Sequence, residues 1–519
     1  MKVGRVRGLA LVLVVMALVA TGCDWTFIHS SLTNSGKAAD DGFTPTQATN
    51  LALEWRFHPG GSINATPVTF HGIVYLPAGN GTLYALASTK IVGGAPTVLW
   101  SKPYGLATNT TCPNSPRGLV ASPAVRDDGN GNPLVYVSTP QGKLQELNGR
   151  TGAVIWENTV YTVPADNQND YFSWSSPTYS GGRVFVGISS NCDTPFVRSG
   201  LRAFDQSTGA LVAEYSGMPN AVDSDYGNHL PSPPTNLYVG AGIWTTSAAG
   251  DGNSIYVTTG STYDDTNFAH PPLDTNNYDQ YSLIKLNATT LAKQGKFAIP
   301  QPDGGDPDWG SGAILFNATL GGASTWVAGG CNKDGIFYAV RADTMKPIWA
   351  VRVGTSAPGG EIACLSGGVW DGTHLYVTGN DTQIGGQWTS TTLHDTSGDA
   401  YPLWSVTGGV AAVSSTRRLD PATGLNLTGA TPKPYWETAH QQLVLGACSI
   451  NGRSTLIACQ TTDWVGPTNS VLLMSAASGA QVASLHDSGE FPGFSTPIWS
   501  DGRLIVCNSD AIRSYKPRA

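Results

Sequence analysis

The stretch LVASPAVRDDGNGNPLVYVSTPQGKLQELNGRTGAVIWE, residues 119–157, contains one whole structural unit. A small-residue run around Pro123 comes first, then a Gly/Asn turn, then the Val/Tyr-rich run at Val135-Tyr136. A third run leads to the turn Thr151-Gly152 and ends on Trp156. Short apolar runs bounded by Gly, Pro and Asn are the pattern of β-strands joined by tight turns. Related units lie on either side. One carries Pro67, Val74-Tyr75 and Trp100; another carries Pro177, Val184-Phe185 and Thr208-Gly209.

The unit continues through SIYVTTGS (254–261), STWVAGGCNKDGIFYAVRADTMKPIWAV (324–351), HLYVTGN (374–380) with TRRLDPATG (416–424), TLIACQTT (455–462) with LLMSAASG (472–479), and FSTPIWSDGRLIVCNSDAIRSY (494–515). Its spacing of roughly 45 to 60 residues is that of a four-stranded propeller blade. The last unit lacks an outer strand, and LALEWRF (51–57) precedes the first unit with no blade of its own. The sequence therefore predicts an all-β, single eight-bladed β-propeller of four-stranded antiparallel blades. Its ring is closed by the N-terminal strand, which removes the exposed sheet edges. The longest insertion, roughly Gln383 to Gly409, falls in blade six.

Composition agrees. The 519 residues include 62 Gly and only 13% charged residues, with a formal net charge of −8. Mild acidity argues against nucleic acid as a partner, since phosphate neutralisation needs a basic face. Residues 1–22 read as a secretory signal: Lys2, Arg5 and Arg7 precede an apolar run from Leu9 to Ala20. Ala20-Thr21-Gly22-Cys23 resembles a bacterial lipobox, which would place a lipid anchor on Cys23; ordinary cleavage and free secretion is the alternative. The domain reading is then signal peptide 1–22, linker 23–42 and propeller 43–519, in an extracytoplasmic monomer that touches a membrane only through Cys23. An oxidising compartment permits disulfides. Cys448 and Cys459 flank a turn at Asn451-Gly452, and Cys331 and Cys364 are a second candidate pair. Seven cysteines besides Cys23 leave at least one thiol free. No CxxCH run occurs, so no covalently attached haem is expected.

In its outer-strand pattern, seen in parts at 144–156 and 201–209, the chain resembles the quinoprotein alcohol dehydrogenase superfamily over about residues 43–518. The resemblance implies pyrroloquinoline quinone (PQQ) and Ca²⁺ at the ring's axis and oxidation of a small alcohol or polyol, with electrons leaving to an external acceptor. Carried over residue by residue, it gives Cys112, Arg117, Trp244, Lys333 and Asn64 as cofactor-binding. Asp308 becomes the catalytic base, with Asp306 the nearby alternative. Asp193, Ser261 and Asp308 become the metal ligands. The family's paired cysteines are reduced to Thr111-Cys112, so a vicinal disulfide lid cannot form. Ser261 stands for an Asn ligand and Asn64 for a Glu, which weakens the Ca²⁺ site. These departures motivate a second hypothesis: a non-catalytic propeller serving as a cell-surface scaffold or ligand-binding lipoprotein. Its site would lie in loops such as the blade-six insertion with Trp388 and Trp404. A hydrolase finds little support, with nine His and no nucleophile elbow.

Overall fold

The computed structural model describes residues 23–107, 117–161, 171–191, 197, 199–218, 238–245, 248–264, 278–299, 308–355, 362–462, 469–487, 494–508 and 510–518. Eight blades, each built on four antiparallel strands, follow one another around a ring, and a short two-stranded sheet pairs Tyr238–Gly240 with Thr262–Asp264. The second blade, built by the opening stretch, comprises Ala124–Asp127, Pro133–Ser138, Lys143–Asn148 and Val154–Thr159. The eighth comprises Ile498–Ser500, Arg503–Cys507 and Ile512–Pro517, and its fourth strand is Leu51–Phe57. That strand runs antiparallel to the chain's last, with Leu51 opposite Pro517 and Phe57 opposite Ile512. The ring therefore closes as the sequence predicts.

There is no single core. The buried apolar residues fall into clusters shared by neighbouring blades. Val68, Tyr75 and Leu83 of blade one pack with Val125, Val135 and Leu147 of blade two. Tyr136 and Leu144 of blade two pack in turn with Val184 and Phe204 of blade three. Two devices tie the blades together. At the rim, Trp156 Nε1 donates to the Gln206 carbonyl of the next blade at 3.2 Å, and its ring covers Gly209. Gly209 has φ 72°, and a Cβ there would lie 2.4 Å from the indole. Only glycine satisfies both demands. At the hub, the Ser or Thr before the proline that opens blades eight, one and two stitches each to the next blade. The Thr496 amide donates to Thr66 Oγ1, the Thr66 amide to Ser122 Oγ and the Ser122 amide to Ser176 Oγ, each at 2.9 Å.

The insertion in blade six forms a hairpin, Gln387–His394 and Ala400–Thr407. It folds back so that Ala400–Thr407 extends the sheet of blade five, parallel to Pro347–Arg352. Trp388 is buried against Arg417, and Trp404 donates Nε1–H to the Thr423 carbonyl. Both tryptophans are packing residues between blades five and six.

Residues 24–43 form a strap that visits the innermost strand of every blade in order. The Trp25 carbonyl accepts from Thr69 and the Thr26 carbonyl from Val125, while Phe27 stacks on Tyr179. The Leu32, Thr33 and Ser35 carbonyls accept from Gly250, Leu315 and Trp370. Gly36 and Ala38 pair with Ile450, and Phe43 meets Trp499 edge-on. Trp25 is wholly buried two residues after the exposed Cys23. Both candidate disulfides are present, Cys331–Cys364 and Cys448–Cys459, and Cys507 is a buried free thiol.

Candidate functional site

A cavity of about 540 Å³ opens on the axis where the innermost strands begin. Asn64, Arg117, Trp244, Ser261, Asp308 and Lys333, six of the residues predicted from the sequence, all line it. Cys112 and Asp193 lie outside the described residues, as does Asp306.

Local geometry fixes each side chain. Asp308 and Lys333 are locked together by backbone: the Lys333 amide donates to the Asp308 carbonyl at 2.9 Å, and Trp309 bridges to Asn332. The Cys331–Cys364 disulfide ties the strand before Lys333 to the segment carrying Leu365, another wall residue. Asp308 Oδ1 accepts from both the amide and the hydroxyl of Ser261, the latter at 2.5 Å. The preceding residue must be glycine, because a Cβ on Gly260 would lie 2.8–2.9 Å from the Asp308 carboxylate. Lys333 Nζ lies 3.9 Å from Asp308 Oδ2 and 4.9 Å from the centroid of the Trp244 ring. Both ends of this ion pair are largely shielded from water, which strengthens their attraction over that of a surface pair.

Trp244 presents its indole to the cavity, and its Nε1 is buried with no hydrogen-bond partner among the described residues. Across the site, Arg117 Nε donates to Asn191 Oδ1 at 3.0 Å, and its guanidinium lies 4.4 Å over the Trp174 ring. Trp174 is held in turn by a bond from its Nε1 to the Ser190 carbonyl. Trp174 and Asn191 were not singled out from the sequence. The available signal was position: both flank the strands that start and end at the hub of blade three, in SWSSP and SSN.

Two cations, a flat indole with an orphaned N–H and a shielded carboxylate make a site for a planar ligand bearing negative charge. PQQ, an aromatic polyacid, fits that donor set. A divalent metal fits less well. Of the predicted ligands only Asp308 and Ser261 are placed, they are bonded to each other, and no three His, Cys, Asp or Glu residues cluster among the described residues.

A family model for the β-propeller domain of PQQ-type glucose/ethanol/alcohol dehydrogenases matches residues 40–363. Polyvinylalcohol dehydrogenase of a Pseudomonas species is 24% identical over 394 residues, which is 71% of this chain and 57% of that protein. The dehydrogenase subunit of the quinone alcohol dehydrogenase of Gluconobacter oxydans (strain 621H) is 26% identical over 210 residues, 38% of this chain and 25% of that one. The chain thus spans between a quarter and just over half of these relatives' lengths. Among solved structures, a europium-containing methanol dehydrogenase superposes with a TM-score of 0.65 at 14% identity, covering 94% of this chain and 90% of that one. The quinohemoprotein alcohol dehydrogenase of Comamonas testosteroni gives 0.62 at 15% identity, covering 96% and 82%. The structural likenesses bear on fold, and the family match agrees with the site's chemistry. The chain belongs to the PQQ glucose/ethanol/alcohol dehydrogenase β-propeller family.

Proposed function

We propose that this protein is an extracytoplasmic quinoprotein alcohol oxidoreductase that binds PQQ in the axial cavity and hands electrons to an external acceptor. The observation that carries the reading is the convergence of Arg117 from blade two, Trp244 from blade four and the Asp308–Lys333 pair from blade five on one cavity. Scaffold residues have no reason to gather there. Trp388 is buried and Trp404 is half-buried with its indole N–H bonded to the Thr423 carbonyl, so these two side chains lend the non-catalytic reading little support.

When bound, PQQ supplies the two-electron acceptor for alcohol oxidation. Trp244 offers the stacking face. Lys333 and Arg117 hold negative charge on the ligand, the electrostatic work that fixed cations do best in a shielded site. Asp308 takes the substrate hydroxyl proton at Oδ2. Ser261 orients the carboxylate through Oδ1, and Lys333 lies beside Oδ2 and helps aim it. No step is assigned to a metal. The two disulfides and the N-terminal signal support a compartment outside the cytoplasm. If Cys23 is acylated, the buried Trp25 would hold the ring close against the membrane.

The test is alcohol-dependent reduction of an artificial electron acceptor by PQQ-loaded protein, screened over primary alcohols, secondary alcohols and polyols. Asp308→Asn should lower turnover by about 10²- to 10⁴-fold while PQQ still binds. Turnover unchanged in Asp308→Asn would remove its role as base, and no turnover with any alcohol despite bound PQQ would refute the oxidoreductase reading.

A further inference from the structure

The walls of the cavity differ. Blades one to five contribute its charged and polar groups. On the side of blades six to eight, the described wall residues, Ile362, Leu365, Leu445, Ala447 and Phe494 among them, carry no polar side chain. Among the described residues one polar side chain stands on that side: His29, delivered by the strap. The strap is anchored on both sides of His29. Trp25 is wholly buried, Ser30 Oγ donates to the Lys37 carbonyl at 2.5 Å, and Asn34 Nδ2 donates to the Ala313 carbonyl at 2.9 Å.

The His29 ring is 5% exposed. Its Nδ1 lies 3.5 Å from Thr496 Oγ1. Its Nε2 is buried with no hydrogen-bond partner among the described residues. Gly367, also in the cavity wall, leaves room beside it: a Cβ there would meet only His29 Nε2, at 3.9 Å. Burial pulls the imidazole pKa down to about 4, so the ring is neutral at pH 7. A buried ring nitrogen left unpaired is costly, and the cost is relieved when a ligand supplies the partner.

We propose that His29 Nε2 is a ligand-binding atom, hydrogen-bonding an oxygen of PQQ on the side of blades six to eight. The inference rests on the assignment of the cavity to PQQ. It gives the strap a function: it brings to the axis the one polar side chain that the described parts of those blades do not supply.

The test is titration of PQQ into the purified chain, followed by quenching of tryptophan fluorescence. His29→Phe keeps a ring of similar size without the nitrogens, and should raise Kd about five- to tenfold. His29→Gln restores an amide at that place and should recover most of the affinity. The melting temperature of ligand-free His29→Phe should not fall below wild type, because the orphaned nitrogen is gone; this separates a lost bond from a loosened strap. Wild-type Kd in both variants overturns the proposal. So does an equal loss in both variants with a lowered melting temperature, which assigns His29 a purely structural role. Absence of PQQ binding by the wild-type chain overturns the cofactor assignment and this inference with it.

Discussion

At the rim of the ring, Trp100, Trp156, Trp349 and Trp436 each donate Nε1–H to a backbone carbonyl on the following blade, at 2.8–3.2 Å. At the hub, Trp244 carries the same side chain to a different end. Its Nε1 is buried without a partner among the described residues, and its neighbour is the Lys333 ammonium rather than a turn glycine. A satisfied donor over a glycine is a joint between blades. An unsatisfied donor beside a cation in a cavity is a surface awaiting a ligand. Repetition marks the first kind, and departure from the repeat marks the second.

Substitutions can break this contrast. The largest effect falls at the rim. Trp349→Ala removes a side chain 1% exposed and should lower stability by about 3–5 kcal/mol in denaturant unfolding. At temperatures where the variant stays folded, its affinity for PQQ should be near wild type. At the hub the pattern reverses. Trp244→Ala should weaken PQQ binding by roughly ten- to a hundredfold, the worth of an aromatic stacking face. Its melting temperature should change by far less than that of Trp349→Ala. Equal losses of stability in the two variants would erase the distinction.

The smallest effect is in acid. His29 at the hub and His440 in the outer strand of blade six are both held neutral by burial, with pKa pulled from 6.5 to about 4. The unfolded chain takes up protons on these groups first, so their contribution to stability is full above pH 6.5 and is lost as pH falls toward 4. The melting temperature should drop over that window. His440→Gln should flatten the drop without touching PQQ affinity, since His440 Nε2 is already bonded to Thr416 Oγ1 at 2.8 Å. His29→Gln should flatten it as well. A melting temperature that does not change between pH 6.5 and 4 would contradict the burial of both rings.

The fold was legible because its signals repeat. Pro67, Pro123 and Pro177, the Thr-Gly turns and the outer tryptophans recur at blade spacing, and LALEWRF could be matched to the missing strand of the last blade. The strap was not legible. It has no periodic pattern, because it adds one or two backbone bonds to the innermost strand of each of six blades, and a ring contact to the other two, rather than building a sheet. A linker reading of residues 23–42 therefore gave no hint of His29. Asn64, Arg117, Trp244, Ser261, Asp308 and Lys333 were legible only through family order, and the structure gathers all six. Trp174 and Asn191 escaped because their roles depend on Arg117 lying across from blade three, a contact between distant segments.

The central claim is that the axial cavity is a PQQ site. Calorimetric titration of PQQ into the purified, cofactor-free chain tests it most directly. Saturable binding at one site per chain is expected, abolished in Lys333→Ala and retained in Trp349→Ala. No saturable heat with the wild-type chain, or binding that survives in Lys333→Ala, would contradict it.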